Sequence, residues 1–288
     1  MSEPMKTEIN LIKLLSKERT NLQKILKSIR IVEKLIKNEP SSNLLKIKRE
    51  LSKVEKLLGQ SKLDHFLKKS IKRYIETIRS KIPEWEENVK RAFGQKLGNA
   101  LKQAGFELRG HYPLLKVLFY TLEVNFDDNN VTIWYGSQQE RLDKCKLDPE
   151  EVAKKLKDIH NKITQRRFDD KTFLSNLFDA YKVAIYRHGK NMGDQVRIAD
   201  ILSEYAFLVQ DKKFKVNPTK RNYKEYGRVF FSYDLYRLKE RKIGNYEMSL
   251  VIATRAYTRR KSDFLWVPSN EKGDGTYISH LKFREVSS

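Results

Sequence analysis

The chain has 288 residues, 39% of them hydrophobic and 11% aromatic, and a formal net charge of +22. Its length buries a core without cross-links, 14 Tyr with 14 Phe are too many for a disordered polymer, and the single Cys145 excludes an internal disulfide or a thiolate-built metal site. No apolar run approaches the roughly twenty residues of a membrane span, and the opening MSEPMKTEIN lacks the apolar segment of a secretory signal, so a cytoplasmic protein without membrane contact is expected.

The charge surplus is spread along the chain. Residues 1–110 carry 26 basic and 13 acidic side chains, and residues 111–288 carry 33 and 24. Such a surface attracts polyanions at long range and releases counterions from nucleic acid on contact. A thermophilic surface would balance lysine with glutamate, which this chain does not do, although a lysine-rich composition also arises from base composition alone.

Taken in order, the first 82 residues read as lysine-rich helical apolar repeats. The first helix is expected over about Met5–Asn38, where Pro40 and Ser41, Ser42, Asn43 break it; at 1.5 Å per residue it is about 50 Å long and must protrude or pair. Leu15, Leu22, Ile25, Ile29, Val32 and Ile36 form its seam, interrupted at Glu18. Leu44, Ile47, Leu51, Val54 and Leu58 continue with coiled-coil spacing up to Gly59, and Leu63, Leu67, Ile71, Tyr74, Ile78 and Ile82 share a face before Pro83. Short connectors imply an antiparallel bundle. A fourth helix begins at Pro83 with Glu84, Glu86 and Glu87 near its positive end, buries Trp85, Val89, Phe93, Leu97 and Leu101, and is capped at Gly105 with Phe106 folding back. The pattern changes near Gly110, which divides a helical stalk, 1–110, from a body, 111–288.

The body opens with alternation from Leu118 to Phe126, a turn at Asp127 to Asn130, and Val131, Ile133, Tyr135, a β-hairpin. Asp148 and Pro149 start a helix, and Asp169 and Asp170 lead into another that Gly189 stops. A helix is expected over Ile198–Val209 and an aromatic one holding Tyr223, Tyr226, Phe230, Tyr233 and Leu238. Strands follow at Met248–Ile252, around Leu265 and Val267, and over Tyr277–Phe283. The fold class is therefore α+β: an N-terminal antiparallel helical or coiled-coil bundle, then a mixed α/β body with hairpins.

Arg255, Ala256, Tyr257, Thr258, Arg259, Arg260 and Lys261 lie between two of these strands. At a hairpin tip they present four cations and a ring; guanidinium forks grip phosphate and a tyrosine can stack on a base. Lys220, Arg221 and Lys224 form a second candidate contact. The competing chemistry is metal-dependent cleavage by Glu123, Asp127 and Asp128, or by Asp169, Asp170 and Lys171, but strand, turn and loop positions explain both sets. The five histidines show no metal-ligand spacing, and Gly273, Asp274, Gly275 lacks the lysine of a phosphate loop. Cys145 between Lys144 and Lys146 has the setting for a lowered pKa but no base partner. No metal or cofactor is expected.

The reading that follows is a non-enzymatic subunit of a larger assembly, the class that includes prokaryotic DNA-handling and antiviral machines. It binds DNA or RNA through phosphates, and a protein partner or a second copy through Leu22, Ile25, Ile29, Val32 and Ile36. A coiled-coil adaptor whose partner is a protein is the alternative, and a metal-dependent nuclease the lesser one.

Overall fold

A computed structural model describes residues 3–286, with side chains from Leu11 onward. The chain divides into two compact units, Met1–Lys96 and Leu97–Ser288. The division falls inside a helix, fourteen residues before the change of sequence pattern at Gly110, because packing and periodicity report different things.

The first unit is helical. Its helices are α1 (Glu3–Lys37), α2 (Leu44–Gln60), α3 (His65–Arg79) and the first part of α4 (Ile82–Gln103). The Lys62 N–H donates to Glu18 Oε1 at 2.7 Å, and the Asn43 amide to Asn38 O at 2.9 Å, so α2 runs back along α1 as an antiparallel hairpin. Asp64 caps α3 by accepting from Phe66 N and Leu67 N. The core joins Ile25 and Val32 to Leu44, Ile47, Leu51, Val54 and Leu58 of α2 and Ile71, Ile75 and Ile78 of α3.

Two expected details change here. On α1 the expected Ile25 and Val32 are buried and Ile29 and Ile36 pack against the same core, but Leu15 and Leu22 lie outside it and the polar Asn21 and Ser28 take the seam positions between, because the apolar residues of α1 spread over two adjacent faces and packing uses one of them. On α3 Ile75 is buried and Leu67 is exposed.

The second unit holds two five-stranded antiparallel assemblies and the remaining helices. The first is a meander of β1 (Arg109–His111), β2 (Leu114–Val117), β3 (Tyr120–Asn125), β4 (Asn130–Tyr135) and β5 (Glu140–Lys146). The Asp127 to Asn130 turn stands where alternation placed it, with Asn129 at φ 54°. Its strand, however, starts at Tyr120: Leu118 adopts φ 48° and turns the chain between β2 and β3. The C-terminal cap of α4 is as expected, with Gly105 at φ 89° and Phe106 N donating to Leu101 O at 2.8 Å.

Helices α5 (Pro149–Thr164), capped by Asp148, and α6 (Asp170–Arg187), capped by Asp169, follow. Next come β6 (Val196–Arg197), α7 (Ile198–Leu208), α8 (Lys212–Val216) and α9 (Arg228–Arg237), then β7 (Lys242–Ile243), β8 (Tyr246–Ile252), β9 (Leu265–Pro268) and β10 (Gly275–Glu285). The aromatic helix is thus shorter than expected: Tyr223 and Tyr226 lie in the segment before α9. The second sheet has the order β6-β10-β8-β7, with β9 also bonded to β10.

The register of β10 decides how the basic segment 255–261 is displayed. Ile278 is opposite both Ile252 of β8 and Leu265 of β9, so these strands flank β10 on its two sides and run in the same direction. Strands of like direction cannot form a hairpin. Residues 253–264 are therefore a crossover, made of two 3₁₀ turns, Arg255–Thr258 and Lys261–Asp263, in place of the expected hairpin tip.

Helix α9 joins the two sheets. Ser232 Oγ donates to Trp266 O of β9 at 2.6 Å, so its own oxygen receives the hydroxyl of Tyr135 from β4, 3.2 Å away. Trp266 in turn fits where only glycine is possible. A Cβ on Gly275 would stand 2.3 Å from its ring, and one on Gly136, at φ 65°, would stand 2.8 Å from it. No helix among the described residues is long and apolar enough to cross a membrane.

Candidate nucleic-acid interface

Between α7 and α9 the chain makes a basic excursion. Asp211 begins it by accepting Phe214 N–H at 3.1 Å, which starts the short α8, and Asn217 with Pro218 stops it. The excursion is closed by the buried Gln210. Its Oε1 accepts Lys224 N–H at 2.8 Å, and its Nε2 donates to Lys224 O at 3.0 Å and to Ala206 O at 2.6 Å. This clamp fixes the backbone of Lys224 to the end of α7 and leaves its side chain outside.

Lys220, Arg221 and Lys224, all expected, are exposed, and the structure adds the exposed Lys212, Lys213 and Lys215. The ring of Phe214 stands between Phe207 and Tyr223, with centroids at 6.0 and 5.5 Å. Lys213, Asn217, Thr219 and Arg221 face an open polar recess of about 470 Å³ that Asp211 and Asn222 complete.

The crossover supplies the second group. Arg255, Arg259 and Arg260 are exposed, and Tyr257 packs edge-on against His280 with ring centroids 5.1 Å apart. His280 lies opposite Arg197 in the β10–β6 register. Burial, then the nearby Lys190 and Arg197, lower its pKa below the usual histidine value, so the ring is neutral at pH 7. Arg197 is brought beside Tyr257 and His280 by a strand pairing over more than eighty positions, but its guanidinium is held by Asp200 at 2.9 and 3.0 Å and the Lys190 ammonium donates to Gln195 O, so neither adds a free cation to the group.

Lys261 is a different case. Its Nζ lies 2.6 Å from Glu140 Oε2, while Glu140 Oε1 accepts from Arg228 Nε at 2.5 Å and Arg228 Nη2 donates to Phe264 O at 2.6 Å. Glu140 thus latches the crossover to β5 and α9. Lys261 was expected to be a free phosphate contact; instead it is committed to an acid 121 positions earlier.

The two basic groups occupy opposite ends of α7. Gln210 and Lys224 are tied to its C-terminus. The Lys261–Asp263 turn packs against the helix, and Asp263, after the dominant Asp200, raises the pKa of Arg197, the residue before its first turn. Eleven residues separate them along the axis, about 16 Å at the usual helical rise. They are two separate exposed basic groups.

Behind α9 a buried ionic group holds the unit together. Asp234 accepts from Arg166 Nη2 at 2.5 Å and from the Tyr226 hydroxyl at 2.6 Å. Arg237 Nη2 is 2.7 Å from Asp234 Oδ1, but at an angle unsuited to a hydrogen bond, so this contact is an ion pair only. The guanidinium of Arg166 covers the Phe230 ring at 4.3 Å and that of Arg237 covers Phe168 at 3.9 Å. Burial, then the Asp234 charge, push the Tyr226 phenol far up, so it remains a donor. Nothing local in the sequence marks Arg166 for this role, because its partner Asp234 is 68 positions away.

The acids considered for metal chemistry have structural partners. Glu123 accepts from Trp134 Nε1 at 2.8 Å, Asp128 from the Asn125 amide at 2.9 Å, Asp169 from Thr172 N–H at 2.8 Å, and Asp170 from Lys239 N–H at 3.0 Å. Among the described residues no three His, Cys, Asp or Glu side chains are grouped to hold a metal ion. Cys145 contradicts the expectation of a lowered pKa. Strand alternation points Lys144 and Lys146 away, and burial pushes the thiol up to about 11, with a weak contact to Val131 O at 3.7 Å.

Neither the family models, nor the curated proteins, nor the solved structures compared with this chain match it.

Proposed function

We propose that the chain is a nucleic-acid-binding subunit of a multi-protein intracellular assembly, gripping DNA or RNA through phosphates without reading base sequence. The observation that carries this reading is the pair of exposed basic groups at the ends of α7, each with a partly exposed tyrosine beside it: Lys220, Arg221 and Lys224 with Tyr223, and Arg255, Arg259 and Arg260 with Tyr257. Among the described residues no acid pairs with these six cations, in contrast to Lys261. Uncompensated cations on ordered backbone supply counterion release, and an adjacent ring supplies a stacking surface for an unpaired base. Neither group has a helix face or paired ribbon shaped for a major groove, which favours backbone contact over base reading.

The test is the salt dependence of affinity for a duplex of arbitrary sequence, followed by fluorescence anisotropy. Affinity should fall steeply between about 50 and 200 mM salt, and the triple variant R255A/R259A/R260A should flatten the log–log slope by up to about 2.7, at roughly 0.9 for each phosphate that is no longer neutralised. Affinity that does not vary over this range would sink the proposal.

A further inference from the structure

The helical hairpin uses only one face of α1. Ile25 and Val32 are 2% and 0% exposed, and both were expected to meet a partner chain; they are occupied by α2 and α3. Beside them runs a second apolar stripe in which Leu11, Leu15, Leu22 and Leu26 are 57%, 62%, 37% and 49% exposed. Their steps of four, seven and four place them within about one quarter of the helix circumference. Glu18 meets Lys62, just past the end of α2. The α1 residues before Glu18 therefore extend beyond α2, and Leu11 and Leu15 belong to that extension.

The charge beside this stripe identifies what covers it. Arg19 and Arg30 border it on the solvent side, and Lys27, Arg30 and Lys34 line a shallow depression of about 590 Å³ next to Leu26. Glu18 is the one acid between Leu11 and Arg30, and its Oε1 is held by the Lys62 N–H. A second copy of α1 laid on this stripe would set these cations against their own counterparts. A helix with leucines on one face and carboxylates on its flanks matches both the spacing and the sign.

We propose that α1, from Leu11 to Arg30, docks an acidic amphipathic helix of a protein partner. This rests on the assembly-subunit half of the function proposed above and is independent of its nucleic-acid half.

The experiment uses the full chain and a fluorescein-labelled designed helical peptide with leucine at heptad positions a and d and glutamate at e and g, read by anisotropy in the presence of saturating duplex DNA. Saturable one-to-one binding is expected, weakened at least about tenfold in the variant L15E/L26E, as for removal of helix-in-groove anchors. The variant changes exposed side chains, so its circular dichroism melt and duplex affinity should match the parent's. Four results overturn the proposal: equal binding of a scrambled peptide of the same composition, displacement of the peptide by the duplex, unchanged peptide affinity in the variant, or a stripe that instead drives dimerisation or attachment to phosphatidylserine vesicles, as shown by loss of either in L15E/L26E. Peptide binding without duplex binding would retain this inference and discard the nucleic-acid reading alone.

Discussion

Asp234 in the second unit and Ser28 in the first are both almost wholly buried, yet they are treated in opposite ways. Asp234 is met by two arginines and a phenol. Among the described residues Ser28 Oγ has no hydrogen-bond partner, and neither has Asn21 Nδ2 earlier in the seam. In the α+β unit, Arg166 comes from 68 positions away to meet a buried carboxylate, which fixes loop 165–169 against α9, although Arg237 Nε and Nη2 in the same group have no hydrogen-bond acceptor among the described residues. In the helical unit, cohesion comes from apolar packing between neighbouring helices, and the polar atoms in the seam subtract from it. A helix held by one face, with polar interruptions in that face, leaves its other apolar stripe, Leu11, Leu15, Leu22 and Leu26, in solvent.

This contrast can be broken by substitution. Asp234→Ala leaves two guanidinium groups facing an apolar interior and should cost about 3–5 kcal/mol in urea denaturation; a decrease below about 1 kcal/mol would show that water already satisfies them. Leu51→Ala, at the centre of the helical core, should cost about 2–5 kcal/mol through the cavity it leaves. The same truncation at Leu15 should change stability by less than about 0.5 kcal/mol, because the side chain is already in water. Ser28→Ala should act in the other direction, raising the denaturation midpoint by the equivalent of about 1 kcal/mol as an unpaired hydroxyl is removed. If Ser28→Ala is destabilising, an ordered water bridges that hydroxyl and the contrast between the units narrows.

What could be read from the sequence was mostly local. Caps at Asp148, Asp169 and Gly105, the break at Pro40 and the Asp127 to Asn130 turn all depend on residues within a few positions of one another, and they stand where the pattern put them; the next break falls at Ser80 and Lys81, so Ile82, expected to close the third helix, opens α4 together with Pro83. The α1 seam was half legible. Ile25 and Val32 were identified, but the choice between two adjacent stripes depends on α2 and α3. Strand β5, dominated by charged side chains, carries no alternating signal because its partners bury only Cys145. Among the candidate contacts, exposed cations were legible from composition. The fate of Lys261 was not, since Glu140 reaches it only after the sheets assemble. Nor was the shape of the 255–261 segment, which depends on β10 being inserted between the two strands that precede it.

That insertion imposes an order on events. Strands β6, β8 and β9 all bond to β10, and β8 otherwise has only the two-residue β7 as a neighbour. During synthesis the first three must therefore wait, with open edges, until the eleven residues from Gly275 to Glu285 have emerged. The meander β1 to β5 has no such dependence, since each of its strands pairs with the next one made. The protein thus has an early sheet and a late one, and the ribosome, or whatever shields the nascent chain, meets the late one with three strand edges unsatisfied.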